Sequence, residues 1–404
     1  MSDGEKRLFF YAKEEEVLSG SVTDVYFQRA RQVLRSLNLS ERHVAAEVHA
    51  YSLPQGYSWG VLVGVKEVVN LLKGLPVNVY SMEEGELFFA KEPVMCIEGN
   101  YLDFGIYETA VLGILRHESS VGTKSARIKF HSMDKPVIFF GMRCVHPIIS
   151  PVIDRAAYIG GCDAVSNVLG AELLGERPVG TMPHAFIIVI GDQREAWTAF
   201  DKFMPEYVPR IALCDTWYDE RIESLMAAEA LEGRLYGVRL DTPGSRRGNM
   251  RMITQEVRWS LNINGYSHVK IYVSGGIDEE DVKELGDVAD GFGVGTSIAF
   301  PPSIDLAMDI VEVEGKPISK RGKLPGRKQV YRCRSFHDTV TPWERRVERC
   351  VRCGERVEPL LRPLIVNGEV VDEGPEEKVL RSRVLERVSL LKRVPQVEPP
   401  LFIS

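Results

Sequence analysis

The chain has 404 residues, Lys+Arg 50 against Asp+Glu 57, and a formal net charge of −7. Its 44% hydrophobic and 26% charged residues are the balance of a globular rather than a disordered chain, and at roughly 150 residues per domain the length predicts two or three domains. No apolar run approaches the ~18 residues of a membrane span, the first residues, MSDGEKRLFF, lack the apolar stretch of an export signal, and mild acidity speaks against bulk nucleic-acid binding, so the expectation is a cytoplasmic protein with neither membrane nor nucleic acid as partner.

Residues 1–120 read as a small α+β domain. Alternating segments at 86–89 and 93–97 predict antiparallel strands, and amphipathic stretches at 26–37 and 105–116 predict helices. Residues 121–305 read differently. Short β-type runs at 136–140, 211–214, 235–240, 269–273 and 291–294 alternate with helix-type stretches at 219–232, 246–263 and 279–285. Strand, helix, strand at such regular intervals is the pattern of a parallel α/β array, and this many repeats predict a barrel.

The predicted strands end on Asp215, on Arg239 and Asp241-Thr242, on Ser274-Gly275-Gly276, and on Gly293-Val294-Gly295-Thr296. In a barrel these ends open on one face, where the active site sits. Any single Asp there could instead cap the following helix, but four polar or glycine-rich ends in register are poorly explained by capping or packing.

Residues 306–404 form a C-terminal segment. A basic stretch at 316–328 comes first, then a cysteine-bearing segment, a strand pair around 364–371 with an Asn367-Gly368 turn, and a helix at 376–394. That helix places Val379, Leu380, Val384, Val388 and Leu391 on one side for docking. Cys333, His337, Cys350 and Cys353 follow the spacing C-x3-H, twelve residues, C-x2-C. Two close pairs joined by a short loop supply the four N/S ligands of a tetrahedral Zn²⁺. With all four positions filled the ion is structural, in a knuckle at about 331–356. Flanking Arg332, Arg334, Arg345, Arg346, Arg349 and Arg352 would favour the thiolates. Cys96, Cys144, Cys162 and Cys214 read as buried thiols, and an odd total of 7 argues against a disulfide framework.

Read together, the barrel-end residues resemble nicotinate phosphoribosyltransferase of the archaeal type. The resemblance runs through Thr23-Asp24-Val25-Tyr26, Phe140-Gly141-Met142-Arg143 and the run AYIGGCDAVSNV at 157–168. It continues with Gly180-Thr181-Met182-Pro183-His184, Asp215-Thr216, Arg239-Leu240-Asp241-Thr242, Ser274-Gly275-Gly276, GVGTS at 293–297 and SKRGK at 319–323. It implies an incomplete α/β barrel of the type II phosphoribosyltransferase class, with a flanking α+β domain and a zinc-binding tail. It also implies a homo-oligomer built from dimers with shared active sites. The reaction it implies moves 5-phosphoribose from phosphoribosyl pyrophosphate (PRPP) to the ring nitrogen of nicotinate, in NAD salvage.

The resemblance also implies roles. Asp215 and Asp241 would serve ribose hydroxyls or a bound Mg²⁺, an ion that takes oxygen ligands. Gly275, Gly276, Gly293, Gly295 and Thr296 would cradle the 5′-phosphate on backbone N–H groups. Phe140 and Tyr26, the latter from a neighbouring subunit, would sandwich the nicotinate ring, with Arg143 on its carboxylate and Arg239 nearby. Ser166 stands where nicotinamide-using relatives carry Asp, and a neutral hydroxyl there avoids repelling the acid. Lys320, Arg321 and Lys323 would clamp the PRPP phosphates, and Thr181, Thr242 and Ser274 complete the set. His184 would accept a phosphoryl group from ATP, although its neighbours Pro183 and Ala185 depart from the family's pattern. Two rivals are quinolinate phosphoribosyltransferase, whose second carboxylate asks for more Arg and Lys, and a non-catalytic RNA-binding zinc protein.

Overall fold

In the computed structural model, which describes residues 7–394 and 397–404, contacts divide the chain into two units: Met1–Thr123 with Pro302–Ser404, and Lys124–Pro301. The expectation about the first ten residues falls partly on 1–6, outside the described residues.

The second unit is a parallel α/β array. Its strands are β1 (Val137–Phe139), β2 (Ala164–Val165), β3 (Ile211–Leu213), β4 (Gly237–Leu240), β5 (Lys270–Val273) and β6 (Gly291–Val294). They are short and mostly buried on both faces, which is why they read as apolar runs rather than as alternations. The order is β2-β1-β6-β5-β4-β3, parallel throughout, and β2 and β3 do not pair with each other. The result is the expected incomplete barrel, in which every strand carries its C-terminal end to the same edge.

The helices are α1 (Ser150–Ile159), α2 (Val168–Leu173), α3 (His184–Ile190), α4 (Gln193–Phe203), α5 (Glu220–Leu231), α6 (Met250–Ile263), α7 (Glu279–Leu285) and α8 (Thr296–Ala299). Asp219 caps α5, Asn249 caps α6 and Asp278 caps α7, each accepting a first-turn N–H. Asp215 and Asp241 cap nothing, so the capping alternative falls to their neighbours.

The first unit is built on a seven-stranded antiparallel sheet. Its order is Lys316–Pro317, Leu306–Val313, His43–Ala50, Pro93–Asn100, Val77–Ser81, Arg362–Val366, Glu369–Val370. Residues 306–404, expected as a separate segment, therefore supply both flanks of a sheet whose centre comes from residues 43–100. Val44 faces Val313 in one ladder and Val79 faces Ile365 in another. The pairing joins residues far apart in sequence, which no local pattern encodes. Val44, Val48, Val79, Ile97, Leu306 and Ile365 share one core, and burying each side chain of this kind is worth about 1.5–3 kcal/mol.

The tail helix is Glu377–Leu391, with Leu380, Val384, Val388 and Leu391 buried; Val379, expected on that side, is 51% exposed. The helix expected at 105–116 is longer, a short 3₁₀ turn at Gly105–Tyr107 leading into Glu108–His131. Cys96, Cys162 and Cys214 are buried as expected, but Cys144 is partly exposed, with Sγ 3.3 Å from Thr296 Oγ1.

Candidate active site

Pro183 holds an extended backbone as N-cap of α3, which makes His184 the first helical residue. Its Nε2 lies 3.0 Å from Asp215 Oδ1, and its Nδ1 lies 4.0 Å from Asp241 Oδ2. Asp215 follows the end of β3 and Asp241 the end of β4, so parallel strands bring the two carboxylates to one imidazole. Ser274 Oγ donates to Asp241 Oδ1 at 2.5 Å. Thr242 Oγ1 lies 3.1 Å from Asp215 Oδ2 and 2.5 Å from Glu220 Oε1, one hydroxyl between two carboxylates. Arg239 donates through Nη1 to Thr181 Oγ1 at 2.8 Å and pairs through Nη2 with Asp241 Oδ2 at 3.3 Å. The Asp215 hydrogen bond raises the pKa of His184; partial burial and Arg239 oppose it, and the charges of Asp215 and Asp241 add to the rise.

A flat apolar surface adjoins this network. The Arg239 guanidinium stands 5.7 Å from the centroid of the Phe140 ring. Arg239 Nε is buried with no hydrogen-bond partner among the described residues, a donor left over for an anion. A Cβ on Gly293 would lie 2.5 Å from the Phe140 ring, so glycine there makes room for the ring. Ser166 follows β2 and is tied by its N–H to Phe139 O at 3.1 Å, which places it beside the strand end that carries Phe140. Arg143 is exposed on the turn Met142–Cys144 and makes no ion pair among the described residues.

The glycine-rich ends differ in what they offer. Gly275 has φ +87°, and its Cβ would lie 2.3 Å from the Asp241 carbonyl oxygen, so only glycine lets the two backbones touch. The helix after Gly276 begins at Glu279, and Asp278 already accepts from the N–H groups of Glu280 and Asp281. The N-terminus of α7 thus carries its own carboxylates, and these two first-turn amides are not free for an anion. What remains are the loop amides of Gly275 and Gly276, which donate to no group among the described residues, and the turn from Gly295 into Thr296 at the start of α8.

Tyr26 and the basic run belong to the first unit. Tyr26, on the helix Val25–Ser36, is 57% exposed, and its hydroxyl donates to Asp24 Oδ2 at 3.3 Å. Lys320 Nζ and Lys323 Nζ reach the buried Asp309 at 2.6 and 2.9 Å, and Lys323 Nζ also lies 2.8 Å from His49 Nε2. Two ammonium groups share one carboxylate, which leaves net positive charge beside the exposed Arg321.

The metal-ligand set also lies in the first unit. Cys333 and His337 bracket the turn of a hairpin formed by Lys328–Cys333 and Asp338–Pro342, and Cys350 and Cys353 occupy the loop before Val357–Pro359. All four ligand atoms lie within 4.8 Å of one another. Cys353 Sγ is 3.6 Å from Cys333 Sγ, and Cys350 Sγ is 3.7 Å from His337 Nδ1. Bonds of zinc length set tetrahedral edges of about 3.6–3.8 Å, so the set fits the ion. The arginines expected to favour the thiolates are largely turned elsewhere. Arg332 is buried against Asp338, Glu86 and Glu92, at 2.5, 2.9 and 3.6 Å, and Arg349 and Arg352 donate to the carbonyls of Gly354 and Pro399.

The family models for the N-terminal and C-terminal domains of quinolinate phosphoribosyl transferase match residues 24–119 and 121–309. The nicotinate phosphoribosyltransferase pncB1 of Mycobacterium tuberculosis is 27% identical over 396 residues, covering 87% of each chain. The crystal structure of nicotinate-nucleotide pyrophosphorylase from Pyrococcus furiosus superposes with TM-score 0.94 at 56% identity, covering 96% of this chain and 99% of that one. The chain belongs to the nicotinate phosphoribosyltransferase family. Human nicotinic acid phosphoribosyltransferase shares the fold at TM-score 0.78 and 20% identity, over 95% of this chain and 98% of its own. The quinolinate-type models stop at residue 309, whereas the pncB1 relative covers 87% of this nicotinate phosphoribosyltransferase family member.

Sequence reasoning missed three residues of this candidate site. Glu220 is the second partner of Thr242. The fully buried Glu223 accepts from the N–H groups of Thr216, Trp217 and Tyr218, at 2.9, 2.7 and 2.9 Å, and so shapes the loop after Asp215. Arg247 donates to the Gly275 carbonyl at 3.2 Å and pairs with Asp281 at 3.4 Å. Glu220 and Glu223 sit in the first turn of α5, where acidic residues are ordinarily explained by the helix dipole. That ordinary explanation hid them.

Proposed function

We propose that this chain transfers 5-phosphoribose from PRPP to nicotinate, giving nicotinate mononucleotide and pyrophosphate. One observation carries the reading: His184, Asp215, Asp241 and Arg239 meet beside Phe140 at the ends of parallel strands, within a chain whose family runs over almost its full length.

The chemistry asks little of an acid or base. The bond from the ribose C1 carbon to the pyrophosphate oxygen breaks, and its electron pair leaves with pyrophosphate. The pyridine nitrogen attacks with its lone pair and has no proton to lose, so positive charge passes from the oxocarbenium-like carbon to the pyridinium. Two fixed carboxylates near that charge stabilise it without reorganising. In this reading Asp215 and Asp241 are those groups. Both already accept hydrogen bonds, so Mg²⁺ arriving with PRPP would find them oriented. Phe140 stacks the ring, and the spare Arg239 N–H faces its carboxylate, with Arg143 as a second cation from the exposed turn. Ser166 admits the carboxylate without repelling it. The amides of Gly275 and Gly276 and the Gly295-Thr296 turn hold phosphate. Tyr26, Lys320, Arg321 and Lys323 act on the site of a neighbouring copy in a dimer-based oligomer, and structural zinc fixes the tail.

The tautomer of His184 supports a reading in which ATP is used. Asp215 as acceptor selects the Nε2–H form of His184 and leaves the lone pair on Nδ1, the nitrogen that would take the γ-phosphoryl group and release ADP. Among the described residues no helix is long and apolar enough to cross a membrane; the site of action in this reading is the cytoplasm.

The test is incubation with PRPP, Mg²⁺ and, separately, nicotinate, nicotinamide and quinolinate, with product masses as readout. Nicotinate mononucleotide is expected from nicotinate alone. The same product with release of carbon dioxide from quinolinate would replace the reading.

A further inference from the structure

Asn167 is the N-cap of α2, a position where its side-chain oxygen would ordinarily accept a first-turn N–H. It does not do so; no side-chain cap bond forms. Its amide instead donates to Asp154 Oδ2 at 2.7 Å and to Ser150 Oγ at 3.0 Å, both on α1. Asp154 is 0% exposed and Asn167 3% exposed. Asp154 Oδ1 has no hydrogen-bond partner among the described residues. Burial raises the pKa of Asp154 to about 6, against the Asn167 bond, which lowers it. From the other side, a Cβ on Gly170 would stand 2.2 Å from Asp154 Oδ2, so α2 closes on this carboxyl only because residue 170 is glycine.

A buried carboxyl with a single donor is costly, and so is a forgone helix cap. Apolar side chains of similar volume would join α1 to α2 without either cost. What the arrangement adds is direction: a polar bond fixes the backbone at Asn167, and the preceding residue is Ser166. Ser166 is anchored on its other side by its N–H to Phe139 O.

We propose that Asp154 is a positioning residue for the ring pocket, holding Asn167 and through it Ser166 at the place where the substituent of the pyridine ring is distinguished. The proposal rests on the reading of Ser166 given above. It extends that reading to a buried residue that touches neither substrate.

The experiment compares kcat and KM for nicotinate and nicotinamide in the wild type, Asp154→Ala, Asp154→Asn and Ser166→Asp, with thermal melting of each. Loss of one charged hydrogen bond corresponds to about 10–150-fold in an equilibrium or rate. Asp154→Ala is therefore expected to raise KM for nicotinate about tenfold or more, with kcat within about threefold, and to lower the preference for nicotinate. Asp154→Asn keeps an acceptor for the Asn167 amide and is expected to restore both values. If Asp154→Ala does not fold, Asn167→Ala removes the same bond and carries the test with the same expected split. An unchanged KM overturns the proposal, as does a loss in kcat alone or an Asp154→Asn variant as impaired as the alanine. Ser166→Asp separates the two ideas. If it leaves the preference unaltered, the Ser166 reading fails. If it shifts the preference while Asp154→Ala does not, only the role of Asp154 fails.

Discussion

Replacing Asp215 by Asn removes one negative charge at nearly constant volume and tests the core of the site. The Asp215 side chain is 5% exposed and that of His184 37% exposed, so water screens the 3.0 Å bond between them in part. A hydrogen bond to a charged group contributes about 1.5–3 kcal/mol net, of which the low end applies here, and tenfold in rate corresponds to about 1.4 kcal/mol. Any step that uses His184 should therefore slow by about tenfold in Asp215→Asn. The Asp215 bond is also the leading cause of the raised His184 pKa, so that pKa should fall in the variant.

The sign for activity follows. A raised pKa keeps His184 protonated to higher pH than its ordinary 6.5, and only the neutral imidazole offers a lone pair to ATP. ATP-stimulated turnover in the wild type should rise with pH through that raised value. In Asp215→Asn the rise should move to lower pH while the plateau drops. The assay is ATP-dependent formation of nicotinate mononucleotide across pH, together with NMR titration of His184 assigned by His184→Ala. A His184 that titrates unchanged in Asp215→Asn, or an unchanged ATP-dependent rate, would refute the reasoning.

Cys350→Ser should lose metal from the tail and lower the melting temperature markedly, since structural zinc contributes on the order of 10 kcal/mol in small domains; metal content by mass spectrometry and a melting curve check this, and a variant still binding one zinc per chain would contradict the ligand set. Gly275→Ala should destabilise more than Gly276→Ala. Both glycines have positive φ, a cost of about 1–2 kcal/mol for other residues, but only at Gly275 would the new Cβ meet a backbone oxygen, at 2.3 Å; equal urea midpoints would sink the argument. Mixing Asp241→Ala with Lys320→Ala, each expected to be inactive alone, should restore on the order of a quarter of wild-type activity if each site draws on two copies; no recovery after subunit exchange would mean that the basic run acts within its own chain.

The barrel was legible because its strands lie buried on both faces. The runs at 136–140, 211–214, 269–273 and 291–294 match β1, β3, β5 and β6 to within a residue or two. The flanking unit was only half legible. Its strands at 86–89 and 93–97 showed alternation, but the central strands His43–Ala50 and Val77–Ser81 passed unread. His43–Ala50 is buried at seven consecutive positions, so it lacks the two-residue period by which half-exposed strands are recognised. Val379 was misplaced because a helical repeat predicts a face, and the width of the neighbouring core decides how much of it is covered.

At the site, residues at strand ends were readable because parallel topology sends all those ends to one edge. Glu220, Glu223, Arg247 and Asp154 were not. Glu220, Glu223 and Asp154 lie on helices and Arg247 in the loop before α6, places where an acidic or basic residue has several ordinary explanations, and their partners are fixed only by the tertiary fold.

By itself, the sequence indicated the parallel array, a Cys/His cluster that could hold a metal, and the polar and glycine residues at the ends of the parallel strands. Composition, short-range periodicity and local spacing are sufficient for those. Only the tertiary structure decided that the C-terminal segment flanks the N-terminal sheet on both sides. It alone decided that His184 stands between Asp215 and Asp241, and that a fully buried carboxyl takes the side chain of a helix-capping asparagine. Those facts depend on groups tens to hundreds of residues apart meeting within hydrogen-bond distance, and no one-dimensional pattern records such meetings.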